Sequence, residues 1–278
     1  MIRKIILGVS LAVLVMYGLT GMAKDISITK DYANFTEISL KCPANLYLKQ
    51  GDTNSVKIEI DQELLPKVNI GSSDNTFYID KKYDVDSSFF EGKTFNVYVT
   101  VKNIKKLLAH DSAKIVAETD IHSNNIDLNV STSGKLITKN IKAENINIEC
   151  KTSGRIKADK MTAANKVKLH SSLSGHVKIN SINAKDLNVK ATYSCNVKIG
   201  AGKVNKQNAY ASYSGRYNAK NLISETGKAE AHYSGRLTMN VRGEISVDLS
   251  YSGQLHLYGK PAMKHLSVST SGQFHTEK

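Results

Sequence analysis

From about Lys106 onward, apolar and polar residues alternate one by one. In Ile126-Asp127-Leu128-Asn129-Val130, two polar residues separate three apolar ones. Alternation with a period of two marks a strand with one buried face. The i, i+3, i+4 spacing of an amphipathic helix never persists. The strand pattern is itself repeated. Ser-Gly returns at Ser133-Gly134, Ser153-Gly154, Ser174-Gly175, Ser214-Gly215, Ser234-Gly235, Ser252-Gly253 and Ser271-Gly272, and Ser112-Ala113 and Ser194-Cys195 complete the register. The steps are 21, 20, 21, 20, 20, 20, 18 and 19 residues.

Aligned on the serine, three columns stay mostly apolar. Five residues upstream stand Leu107, Leu128, Ile148, Leu169 and their successors. Three upstream stand Ala109, Val130, Cys150 and Ala191; three downstream stand Ile115, Leu136, Ile156 and Val177. A further set, Ile141, Met161, Ile182, Val204, Leu222 and Val241, fits another strand of each coil, with Gly200-Ala201-Gly202 and Thr226-Gly227 as corners. Such a period predicts an all-β parallel β-helix (β-solenoid) in which each repeat buries its apolar side by stacking on its neighbours. About nine coils of about 20 residues, each holding about three short strands, would span about 43 Å at the inter-strand spacing. These repeats occupy 107–278.

Residues 24–106 lack the signature but are also strand-like. Phe35–Leu40, Asn45–Gln50, Ser55–Ile60, Thr76–Asp80 and Thr94–Val101 carry alternating or β-branched residues. Gly51-Asp52 and Gly71-Ser72-Ser73 are expected turns, and Ser87 to Gly92 an expected loop. An N-terminal β cap continuous with the solenoid is expected here, because open strand edges invite aggregation. No Pro/Ser-rich linker marks a separate domain.

Residues 1–23 have the form of a signal peptide: basic Arg3 and Lys4, an apolar run from Ile5 to about Tyr17, and small residues in Gly21-Met22-Ala23. A retained anchor is the alternative for this run, and no later segment is long and apolar enough to span a bilayer. An exported protein of the periplasm, outer membrane surface or extracellular space is expected. The chain carries a formal charge of +13, and without Arg3 and Lys4 it holds 36 basic against 25 acidic residues. That excess suits anionic surroundings such as acidic glycan. Three cysteines, Cys42, Cys150 and Cys195, cannot all pair and lack metal-ligand spacing, so no metal or other cofactor is expected.

These segments resemble the GIN-domain family, described as an auto-transporter adhesin head and typical of Bacteroidetes. The residues that carry the likeness are Phe35-Thr36-Glu37-Ile38-Ser39, Asn45 to Gly51, Val97-Tyr98-Val99-Thr100-Val101 and the Ser-Gly coils. The resemblance implies a location in the cell envelope or at the surface and a binding role, and it supplies no catalytic residue. The family carries Gly just before the signature serine. Here Thr, Leu or Tyr stands there, so the resemblance alone leaves the corner's geometry open.

Two columns are candidate ligand-binding sites. Two residues after the serine lies a basic column containing Lys135, Arg155, Arg216 and Arg236, which either tracks a polyanion or forms a solvated face. Just before the serine lies a tyrosine ladder, Tyr193, Tyr213, Tyr233 and Tyr251. Strand parity assigns the ladder to the interior; a sharp bend at the glycine would turn it outward as a platform for sugar rings. A polar knot of Glu230, His232 and Asp248 would place two carboxylates roughly 5 Å apart on adjacent coils. The recurring serines suit a hydrogen-bonded ladder better than one activated nucleophile. The expectation is a non-enzymatic, adhesin-like binding protein with no catalytic residue. Possible partners are a glycan or another anionic envelope component, or a second copy through self-association, and no specific nucleic acid. The alternative is a polysaccharide-active β-helix enzyme, a lyase or hydrolase working through the knot.

Overall fold

The computed structural model describes residues 25–30, 32 and 35–277. The expected signal segment lies outside them. The N-terminal strands are β1 (Asp25–Lys30), β2 (Glu37–Lys41), β3 (Asn45–Gln50), β4 (Ser55–Asp61), β5 (Val68–Ser73), β6 (Thr76–Lys81) and β7 (Phe95–Val101). Then follow β8 (Lys106–His110), β9 (Lys114–Ala117), β10 (Ile121–His122) and β11 (Asn125–Val130). The long strands, bent around the coil, are β12 (Lys135–Cys150), β13 (Arg155–Ser171), β14 (His176–Thr192), β15 (Asn196–Ser212), β16 (Arg216–Ala231) and β17 (Arg236–Leu249). The last are β18 (Gln254–Tyr258), β19 (Ala262–Val268) and β20 (Gln273–Thr276).

The signature sites stack one on another. In the parallel ladders Lys135 faces Arg155, Arg155 faces His176, and the register runs on through Asn196, Arg216, Arg236, Gln254 and Gln273. Each long strand bends twice without leaving the ladder. Between β13 and β14, pairing lapses at Asp159 and again at Ala164 and Asn165, which gives three straight sides per coil. This is a β-solenoid of about nine turns with coils of about 20 residues.

The three apolar columns fill the interior. Leu128, Ile148, Val130, Cys150, Leu136 and Ile156 are all buried. The fourth set needs correction: Ile182 faces Gly202, and Gly202 faces Leu222. Val204 lies two residues further on, over Ala184. Gly202 has φ +127°, and a Cβ there would stand 1.8 Å from the Ile182 carbonyl oxygen, so the backbone approaches too closely for a side chain. Gly200 sits where the pairing lapses, as a corner should. Thr226-Gly227 does not, because both residues pair with the coil before.

At the N-terminal end the chain does not wind in sequence order. β2 lies between β6 and β8, and β3 lies between β7 and β9, all parallel. Residues 37–50 therefore form a coil of the stack, with Cys42-Pro43-Ala44 at the level of Asp111-Ser112-Ala113. The chain next runs outward, lays β4 antiparallel on β7, and returns through β6 and β7. β1 then pairs antiparallel with β4, and β5 with β6. The hairpin between β5 and β6 turns at Asp74-Asn75, with φ 49° and 64°. The expected turn residues Gly71 to Ser73 belong to β5. Asp and Asn tolerate the left-handed region that a tight hairpin demands. The expected loop after Ser87 is a short 3-10 turn, Ser87–Phe90.

All three thiols are free and buried. Burial pushes the Cys150 thiol up to about 12 and raises Cys42 and Cys195 as well. A native thiol titration at pH 8 is therefore expected to find almost no reactive sulfhydryl, and denaturation to release all three. Fast labelling of the folded protein would contradict this packing.

Candidate functional site

The corner at each signature sets which side chains face outward. In coil after coil, the residue before the serine and the serine itself both have positive φ, as in Thr132 (45°) and Ser133 (63°) or Tyr213 (48°) and Ser214 (61°). The next residue closes the turn: Gly134 N–H donates to the Ser131 carbonyl at 2.8 Å. Two left-handed residues inside such a bond make a type I′ turn. Residues with a Cβ resist this region by ~1–2 kcal/mol each, a cost that glycine avoids. This chain keeps the turn without glycine there.

Stacking holds these corners. The serine N–H donates to the carbonyl of the residue before the next serine: Ser133 to Thr152 at 3.1 Å, Ser174 to Tyr193 at 3.0 Å, Ser214 to Tyr233 at 3.1 Å. The serine ladder thus runs through the backbone, while the serine side chains are exposed. The residue after the serine lies close to the coil before, which glycine suits at seven of the corners, while buried Ala113 and Cys195 fill the same place at the other two. A Cβ on Gly215, Gly235 or Gly253 would lie 2.3, 2.2 or 1.9 Å from a carbonyl oxygen of the coil before.

The tyrosine ladder faces outward, contrary to strand parity. Tyr193, Tyr213, Tyr233 and Tyr251 are 51%, 46%, 46% and 52% exposed. Two consecutive left-handed residues break the alternation that predicted burial. The rings stack on one another, with centroids 4.9, 4.9 and 4.8 Å apart and planes within 1°, 3° and 6° of parallel. Because each ring face is turned toward its neighbour, the ladder offers edges and hydroxyls rather than an open platform for sugars.

The basic column is exposed but broken. Lys135 and Arg155 adjoin; His176 and Asn196 separate them from Arg216 and Arg236. Sequence reasoning missed a second row two residues further along: Ile137, Lys157, Lys178 and Lys198, each facing the next. Its signal was present in the alternating triplets Arg155-Ile156-Lys157, His176-Val177-Lys178 and Asn196-Val197-Lys198. The two rows line an open hollow of about 450 Å³ spanning four coils, which Arg216 and Arg236 do not line. Lys135, Arg155, Lys157, Lys178 and Lys198 have no acidic partner within 4.0 Å among the described residues.

The strand before the corner carries a second hollow of about 350 Å³, lined by Lys168, His170, Lys190, Tyr210, Lys228 and Glu230 among others. Burial, aided by Lys151 and Lys190, holds the His170 imidazole below its ordinary range. Glu230 does face Asp248. However, Glu230 is ion-paired with Lys228, whose ammonium is held above its ordinary range mainly by that hydrogen bond. His232 Nδ1 lies 2.6 Å from Ser250 Oγ. Each of these two members of the polar knot already has a partner.

Two substitutions test the corner. Gly235→Ala should cost on the order of 1–3 kcal/mol through overpacking against Ala211, read as a lower urea midpoint with an unchanged slope. Tyr213→Thr, a residue that other coils carry in this place, should lose about 1 kcal/mol of ring stacking. A neutral result for both would contradict close contact between coils.

A family model described as "Putative auto-transporter adhesin, head GIN domain" matches the chain twice, over residues 34–159 and 147–261. A comparison with curated proteins found no match. Among solved structures, a "putative adhesin" from Parabacteroides merdae is similar at TM-score 0.67 and 15% identity, over 93% of this chain and 98% of that one. A "putative adhesin" from Bacteroides fragilis aligns at TM-score 0.56 and 17% identity, over 94% and 100%. A "Putative lipid binding protein" from Parabacteroides distasonis aligns at TM-score 0.60 and 17% identity, over 93% and 98%. At these identities the likeness is one of fold. The two family matches span most of the chain, and the protein belongs to the GIN-domain family that this description names.

Proposed function

We propose that this is an exported, adhesin-like binding protein of the cell envelope or surface, without enzymatic activity, that holds an anionic glycan or another anionic envelope component against its outer face. In this reading residues 1–23 are removed on export, 24–106 close one end of the solenoid, and the repeats of 107–278 present the ligand-binding surface. The family's description supports a surface or exported location. Among the described residues no helix is long and apolar enough to cross a membrane.

The observation that carries the proposal is the hollow of the two cationic rows. Five formal cations crowd four adjacent coils, and no acidic residue lines the hollow among the described residues. Like charges stacked at strand spacing repel one another, and a bound polyanion would relieve that repulsion. Salt screens such contacts, so binding should weaken steeply as ionic strength rises. The tyrosine ladder and Arg216 and Arg236 adjoin the hollow along the same corner and play a lesser part. The engaged state of Glu230 and His232 favours binding over lyase or hydrolase chemistry.

Retention on an immobilised anionic glycan tests the proposal. Charge reversal at Lys157, Lys178 and Lys198 should abolish salt-sensitive retention, and reversal at Arg216 and Arg236 should weaken it only modestly. Tyr213→Thr should also weaken it only modestly. Equal retention by wild type and the lysine triple variant would overturn the cationic hollow as the site. Glycan depolymerisation that Glu230→Gln abolishes would overturn the non-enzymatic assignment.

A further inference from the structure

The cations of the hollow form a ruler. The tyrosine rings show that neighbouring coils repeat every 4.8–4.9 Å along the stack. Lys157, Lys178 and Lys198 occupy equivalent positions on three successive coils, so their attachment points follow the same spacing. Lys135, Arg155 and His176 do the same on the parallel row across the hollow. A pyranose in a linear 1,4-linked chain advances that chain by close to one coil.

Resting on the anionic-glycan reading, we propose that the ligand class is a linear polysaccharide with an anionic group on every sugar, lying along the solenoid axis. Successive sugars meet successive coils. Anionic groups carried on the same side of every sugar meet Lys157, Lys178 and Lys198 in turn, with Lys135 and Arg155 flanking them on the other row. A polymer charged on every second sugar meets at most two of the three successive lysines. Nucleic acid is disfavoured for a separate reason. Tight single-strand binding uses aromatic faces on which bases stack. The hollow is lined by aliphatic and cationic side chains with His176 as its only ring, and the nearby tyrosines already cover one another.

Biolayer interferometry with immobilised protein tests this with four probes: polygalacturonate, charged on each sugar; hyaluronate, charged on alternate sugars; neutral dextran; and single-stranded oligothymidylate. Polygalacturonate is expected to bind about tenfold more tightly than hyaluronate at equal salt, because more tethered contacts form at once. Defined oligogalacturonides should gain affinity with each sugar up to roughly four, the number of coils along the hollow, and then level off. Lys178→Gln, at the middle of the ruler, should lower the plateau affinity more than Arg236→Gln.

If no anionic polymer binds, the anionic-glycan proposal itself falls. If both acidic glycans bind equally with no step in length, that proposal stands and the one-charge-per-sugar ruler is overturned. Galacturonic acid monomer competing as well as the polymer would replace the ruler with a single anion site. Tighter binding of oligothymidylate than of polygalacturonate, or binding of dextran, would overturn the ligand class.

Discussion

The structure depends on how closely one corner can approach the next. At each signature the chain enters the left-handed region twice, which only a compensating contact can hold for residues such as Tyr213 and Ser214. The compensation comes from the neighbouring coil: the serine N–H finds a carbonyl there, and the following glycine lets the backbones meet without a Cβ between them. The partner carbonyl belongs to another coil, so this support exists only in the stack. The repeat therefore specifies stacking and turn together, as a solenoid whose stability resides in nearest-neighbour contacts requires.

Register follows from that contact, and surface chemistry follows from register. Once corners align, a column of the repeat becomes a line on the molecule. Phenol rings that are 20 residues apart in sequence then lie 4.9 Å apart in space. Asparagines do the same: Asn145 donates to Asn125 and Asn208 to Asn188, both at 2.8 Å. The same arithmetic crowds cations. Nothing in the fold requires Lys157, Lys178 and Lys198 to be lysine, since coils elsewhere place Ile137, Asn218, Thr238 and His256 in that position. The clustering of positive charge on a few coils is thus a property of the surface alone.

Much of the architecture was legible in the chain. Alternation located the buried columns because a strand's parity depends on little beyond its own backbone. Asn45–Gln50 was read to the residue for the same reason. Other features were not legible, for physical reasons. The outward turn of the tyrosines depends on two backbone dihedrals that parity does not encode. The insertion of β2 and β3 between later strands is a long-range pairing with no local signal. The drift of the basic column from Arg155 to Lys157 and Lys178 was visible in the triplets, but aligning on a single column hid it. At the C-terminal end Leu266 and Val268 occupy core columns yet are half-exposed, because no described coil covers them.

The central claim is that equivalent positions of successive coils lie in a straight, evenly spaced line. Pulsed electron spin resonance can measure it, with nitroxide pairs that share Thr270 and place the second label at Thr132, Thr152 or Leu173, all exposed or half-exposed members of the column before the serine. Seven coil steps separate Thr132 from Thr270, which predicts a narrow distance near ~34 Å, shortening by about 4.8 Å with each coil removed. Distances that fail to fall in equal steps, or broad distributions, would contradict the stacked corner on which the rest is built.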